Sequence, residues 1–221
     1  MTGPKVRRLG RVGFREAWEL QKRLGEALLR GEGPELILAL EHPPVITLGR
    51  STQPGDAGLP AEEWRARGVE VVPVDRGGRA TYHGPGQVVV YPIVDLRRRG
   101  RDVRAYVHAL EDAAAAALQR FGIPAQPGRD PVGVFIGAAK VASIGVAVRR
   151  WITRHGIAVN VVNDLRVYRH FTPCGLTGVP MTRVADHAPV PLGVVREAVI
   201  EEILVRLKRM EEPREPCSRP S

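Results

Sequence analysis

The chain is poor in cysteine, with only Cys174 and Cys217 among 221 residues. Two thiols cannot make a disulfide framework, and a bridge between them runs against the reducing conditions of a cytosol. Zinc-type chemistry is disfavoured as well: there is no C-x-x-C, and the six histidines, at 42, 83, 108, 155, 170 and 187, contain no H-x-x-x-H. Neither a metal nor another cofactor is expected. No apolar run reaches the ~18–20 residues of a membrane span. The basic start MTGPKVRRLGRVGF is not followed by an apolar signal core. These absences make the expectation a cytoplasmic protein without a membrane partner. Aromatics amount to 5%, and none interleaves with the basic run RRRGRDVR (97–104), which argues against base stacking and hence against nucleic acid.

Lysine is the other scarcity. Four lysines (Lys5, Lys22, Lys140, Lys208) stand against 29 arginines in a chain of net charge +9. Lys140 lies in VGVFIGAAKVASIGVAV, which is otherwise uncharged. Lysine can lose its proton when desolvated and arginine in effect cannot, so one reading is a lysine kept for proton transfer. A side chain snorkelling from a strand to water is the other. The positive charge itself suits an acidic partner, nucleic acid or protein. The run at 97–104 reads as a solvated loop entering a helix, and charge alone does not choose among these.

Apolar periodicity predicts a helix over 13–30 and short strands over 35–40 and 45–48, split by His42, Pro43 and Pro44. A helix starts at Pro60 and stops at Gly68, with a strand over 69–74. A glycine-rich loop follows over 76–86, then a strand over 87–94. Asp102 caps a long alanine-rich helix ending near Phe121 and Gly122. Strands are expected over 132–136, 140–148 and 157–162, and a last helix over 192–210. This irregular alternation indicates a mixed α/β or α+β class. One domain is expected over 1–210, with a disordered tail, rich in proline and charge, over 211–221.

Two segments carry chemistry. Four glycines and a proline within 76–86 allow close approach of main chain to a ligand, although neither nucleotide phosphate-loop pattern is present; a tight turn is the plainer reading. Pro173, Cys174 and Gly175 put a thiol on a turn rather than inside a packed strand or helix. A catalytic thiol must be ionised, and a neighbouring ammonium lowers its pKa from ~8.5. Lys140 is the candidate ammonium, although a separation of 34 positions says nothing about contact. His155 is read either as a substrate-binding or orienting group or as a histidine satisfied at a strand end.

Three segments in order, RGGRATYHGPGQVVVYPIVDL (76–96), KVASIGVAVRRWITRHGIAVNV (140–161) and FTPCGL (171–176), resemble the octanoyltransferases of protein lipoylation. The resemblance implies the α/β sandwich catalytic domain of biotin and lipoate protein ligases. It implies an octanoyl (or lipoyl) group moved from acyl carrier protein to a lysine of lipoyl-domain proteins, those of the 2-oxoacid dehydrogenase complexes and the glycine cleavage H protein. By the same resemblance Cys174 forms the thioester and Lys140 lowers its pKa. Acyl-substrate binding falls to Arg76, Gly77, Gly78, Arg79, Ala80, Thr81, Tyr82 and His83, with Ser143, Ile144 and Gly145, and Gly156, Ile157 and Ala158. The basic run at 97–104 is a candidate for part of the docking face for an acidic carrier protein.

Two rivals are distinguishable. An ATP-dependent lipoate or biotin ligase of the same fold needs no cysteine nucleophile, and the biotin-ligase signature GRGRxGR is missing. A non-catalytic nucleic-acid binder would account for the pI and leave Lys140 and Cys174 unexplained.

Overall fold

In strands β2 (Leu36–Glu41) and β6 (Gln87–Ile93), successive side chains divide between two cores, as a period of two requires. Leu36, Leu38, Leu40, Val89, Tyr91 and Ile93 pack with helix α1 (Phe14–Arg30), while Ile37, Ala39, Val88 and Val90 pack with helices α3 (Val103–Gln119) and α4 (Leu192–Arg209). The sheet is therefore apolar on both faces and is covered by helices on both. A computed structural model describes residues 3–171, 175 and 178–212. Seven strands form the large sheet in the order β1 (Lys5–Arg11), β2, β6, β10 (Ile152–Asn160), β9 (Ala139–Arg149), β8 (Val134–Ile136) and β7 (Ala125–Pro127). Within this sheet, among the described residues, only the β1–β2 strand pairing is parallel. A second sheet orders β4 (Glu70–Pro73), β3 (Val45–Leu48) and β5 (Ala80–His83), with the short helix α2 (Ala61–Ala66) packed beside it. No helix among the described residues is long and apolar enough to cross a membrane.

Local chemistry sets the boundaries. Gly31 ends α1 in the left-handed conformation. The Asp102 side chain accepts from the Ala105 N–H at 2.9 Å, capping α3 as expected from sequence. Arg150 and Trp151, at φ 50° and 68°, turn the β9–β10 hairpin.

Four expectations need correction. The expected loop at 76–86 contains β5, whose Ala80–His83 pair antiparallel with Leu48–Val45; its glycines lie on either side of the strand. Strand β10 starts at Ile152, not 157, because the two-residue turn brings Ile152 directly opposite Arg149. Strands β1 and β7, at the two edges of the large sheet, were not foreseen. The run at 97–104 is not simply a solvated loop. Its first part is a 3₁₀ turn over Leu96–Arg99, and Arg99 is fully buried. The Arg99 guanidinium donates to both oxygens of Glu35 at 2.6 and 2.7 Å and also pairs with Glu211.

Candidate active site

A cavity of about 280 Å³ is bounded by Phe14 of α1, by the stretch leading into β5, by Tyr91 of β6, by Pro131 and Val132, and by the middle of the β9–β10 hairpin. Of the substrate-binding residues expected from sequence, Arg76, Gly78, Arg79, Thr81, His83, Ser143, Ile144, Gly145, Gly156, Ile157 and Ala158 line it. Gly77, Ala80 and Tyr82 do not. Strand alternation explains two of these: Thr81 and His83 face the cavity, whereas Ala80 and Tyr82 join Ile46, Trp64 and Phe171 in the core of the small sheet. Gly77 instead donates its N–H to Val146 O at 2.9 Å. Gly145 is needed for space, since a Cβ there would sit 2.9 Å from Arg76 Cδ.

Several polar groups of the wall are fixed by hydrogen bonds to one another or to residues behind them. His42 hydrogen-bonds Val12 O at 2.7 Å through Nδ1 and the Tyr91 hydroxyl at 2.9 Å through Nε2. A carbonyl accepts only, so the His42 proton is on Nδ1 and the Tyr91 O–H donates to Nε2. His83 Nδ1 meets Gln87 Oε1 at 2.8 Å, and the Gln87 amide donates to Asn160 Oδ1 at 2.9 Å. His155, at φ 57° within β10, donates from Nε2 to Asp75 Oδ1 at 3.0 Å. Asp75 also accepts from Arg154 and from the Trp18 indole. Burial pushes His42 down to about 4 and His83 and His155 below their usual range, while burial raises the Tyr91 hydroxyl. The hydrogen bond from His155 and the charge of Arg154 keep the Asp75 carboxyl well below its ordinary value. All three imidazoles are thus neutral near pH 7, which suits a cavity for an apolar group.

That arrangement has a stability consequence. An unfolded histidine binds its proton near pH 6.5, whereas these three resist it when folded. The unfolded state therefore binds more protons below pH 6.5, and stability falls as the pH drops. The His42 contribution declines between 6.5 and about 4, at up to ~1.4 kcal/mol per pH unit. Thermal denaturation should show a lower midpoint at about pH 5 than at about pH 7.5, with a smaller difference in His42→Gln. An equal midpoint at both pH values would show that the imidazoles are not held neutral.

Lys140 does not snorkel. It is 1% exposed, and its Nζ donates to Val132 O at 2.8 Å and sits 5.6 Å from the Phe135 ring centre. Gly133 makes room for it, because a Cβ at that position would fall 2.6 Å from Lys140 Cε. Val132 O is its only hydrogen-bond acceptor among the described residues, so two of the three N–H donors that an ammonium has find no acceptor among them. The Lys140 backbone joins the later chain through Lys140 N to Pro180 O at 2.8 Å and Thr182 N to Lys140 O at 2.9 Å. Cys174 lies outside the described residues, as does Cys217. Gly175, the next residue after Cys174, has φ 69° and lies so close to Arg79 that a Cβ would overlap the guanidinium. Arg79 is fixed by Asp56, donating from Nε at 2.7 Å, and lines the same cavity whose wall includes Val132.

The family model described as "Lipoyl protein ligase A/B catalytic domain" matches residues 14–204. An octanoyltransferase of Geobacter metallireducens is 43% identical over 198 residues, covering 88% of this chain and 89% of that protein. The chain is an enzyme of the octanoyltransferase family. In fold it resembles lipoate-protein ligase A bound with ATP (TM-score 0.74, 17% identity, 94% of this chain and 86% of that one). It also resembles the biotin protein ligase of Aquifex aeolicus (TM-score 0.55, 13% identity, 95% and 71%). The α/β ligase-type fold expected from the three sequence segments is the one observed.

Other cavity residues of this octanoyltransferase-family chain were not foreseen from sequence: Phe14, Tyr91, Pro131 and Val132, together with the supporting His42, Asp75 and Gln87. Only His155 carried a signal, as a histidine next to the Gly156–Ala158 stretch; it lies inside β10 rather than at a strand end, lines the cavity and is hydrogen-bonded to Asp75.

Proposed function

We propose that this enzyme carries an octanoyl group from acyl carrier protein, as a thioester on Cys174, to the ε-amine of a lysine on lipoyl-domain proteins. The observation that carries this reading is Lys140, a buried amine whose one hydrogen-bond acceptor among the described residues is Val132 O in the cavity wall, on main chain paired with residues that follow Cys174. Such an ammonium stabilises a thiolate. The thiolate attacks the donor carbonyl, the bond from that carbon to the donor sulfur breaks, and Lys140 gives its proton to the departing thiol. The enzyme thioester then waits with a neutral Lys140. An acceptor amine attacks it, its surplus proton passes to Lys140, an amide forms, and Cys174 leaves as thiolate. One thioester replaces another in the first half, so no ATP is required.

In this scheme the acyl chain occupies the cavity between Ile144, Ile157, Ala158 and Phe14, gaining ~0.8 kcal/mol for each methylene buried. The acidic carrier protein meets the basic surface. Arg99 is removed from that docking face by its pairing with Glu35, and Arg101 and Arg104 are the exposed arginines left at the end of the run. The acceptors are the lipoyl domains of 2-oxoacid dehydrogenase complexes and the glycine cleavage H protein. Incubation with octanoyl-acyl carrier protein and a lipoyl domain, without ATP, should add one octanoyl mass to the domain. Transfer only from free octanoate plus ATP would make the enzyme a ligase instead.

A further inference from the structure

The buried carboxylate of Glu111 has no part in the scheme above. It stands in α3, in the alanine-rich stretch EDAAAAAL, and is 0% exposed. A bare charge at such a site is costly unless it is well bonded. Its hydrogen-bond partners among the described residues lie in the β7–β8 hairpin loop. Glu111 Oε1 accepts from Arg129 N and from Gly133 N, both at 2.9 Å, and Oε2 accepts from the Arg129 guanidinium at 3.4 Å. Arg129 lies along the helix as well, donating to His108 O at 3.2 Å and Asp112 Oδ1 at 2.6 Å. Gly128 N to Gly133 O, at 2.8 Å, closes the loop.

Between those two anchored amides lies Val132, whose carbonyl accepts from Lys140 Nζ at 2.8 Å, and Pro131 and Val132 form part of the cavity wall. Gly133 is itself in contact range of the Lys140 side chain. One buried carboxylate thus sets the position of the Lys140 acceptor, of the glycine that makes room for Lys140, and of one wall of the cavity. We propose that Glu111 is a positioning residue that holds the 129–133 loop against Lys140 and so aims the ammonium. The inference rests on the role given to Lys140 above.

The test is single-turnover octanoyl transfer, with thioester formation followed by intact mass, in Glu111→Gln, Glu111→Asp and Glu111→Ala, each alone and combined with Lys140→Met. Glutamine keeps an oxygen acceptor at the right reach and should stay near the wild-type rate. Aspartate keeps the charge but draws it back one methylene from both amides. Aspartate and alanine should each lower the saturating single-turnover rate on the order of 10- to 100-fold, as small displacements of reacting groups do, with its half-saturating concentration little changed. In the Lys140→Met background the same substitutions should add less than about twofold, because coupled residues are not additive. Amide exchange at Arg129 and Gly133 should quicken in the aspartate variant, a readout independent of activity. An equal loss in both backgrounds, or an aspartate variant with wild-type rate and unchanged exchange, would overturn the proposal. If Lys140→Met alone transfers at the wild-type rate, the role of Lys140 fails, and the Glu111 proposal falls with it for that separate reason.

Discussion

Lys140→Met should lower octanoyl transfer by roughly 10²–10⁴-fold, the range attributed to a positioned acid–base group. Methionine suits the site because Gly133 leaves little spare volume around the lysine stem, and an unbranched side chain fills it without a forced rotamer. The substitution removes the transferable proton and leaves Val132 O without its Lys140 donor. Lys140→Arg places a positive charge there on a group too basic to give up a proton. Its larger, planar head must also fit against Gly133 and Phe135. It should therefore lose most activity too. Steady-state transfer with folding checked by thermal denaturation measures both. A Lys140→Arg enzyme with full activity would mean that charge alone suffices and that no proton moves through this residue.

The largest structural effect is expected at a pair that does not line the cavity. Glu35→Ala leaves the Arg99 guanidinium, which has no solvent exposure, without its bidentate partner, and takes an acceptor from Asp95 N at 2.8 Å. Removing one partner of a buried ion pair typically costs ~3–5 kcal/mol. Urea denaturation should show a loss of that size, with transfer activity at low temperature retained by the folded fraction. Glu211, the second acid on Arg99, is partly exposed and should matter less. A Glu35→Ala protein of wild-type stability would show that Arg99 finds solvent or another acid.

These two cases mark where sequence was informative and where it was not. Lys140 stood out as the one charge inside an apolar strand pattern, and the structure buries it against Val132 O instead of letting it reach water. Arg99 looked like one of several surface arginines, since its partner Glu35 is 64 positions away and no local pattern links them. Helices with strong local signals, such as α1 with its Gly31 stop and α3 with its Asp102 cap, emerged close to their observed limits. Strand β5 was hidden because Ala80–His83 is four residues long between glycines, and its strand character comes from pairing with β3. Edge strand β1 reads as a basic segment because half-exposed edge positions carry arginine without penalty.

In the cavity, motif order identified most of the lining, but it treated Arg76–His83 as one continuous binding stretch. Pleating divides that stretch, sending Ala80 and Tyr82 to the small-sheet core and Thr81 and His83 to the cavity. The hydrogen bonds that fix His42 and His155 join residues 49 and 80 positions apart, which no local pattern can convey. The loop held by Glu111 was invisible for the same reason: its anchors are backbone amides, and any sequence supplies those.

The central claim is a thioester on Cys174, and intact-mass spectrometry tests it most directly. Purified enzyme mixed with octanoyl-acyl carrier protein, with neither ATP nor acceptor, should gain one octanoyl mass. The gain should persist in Cys217→Ser, disappear in Cys174→Ser, and be discharged on adding a lipoyl domain. A Cys174→Ser enzyme that still acquires the octanoyl mass, or a wild-type enzyme that transfers without ever acquiring it, would contradict the account.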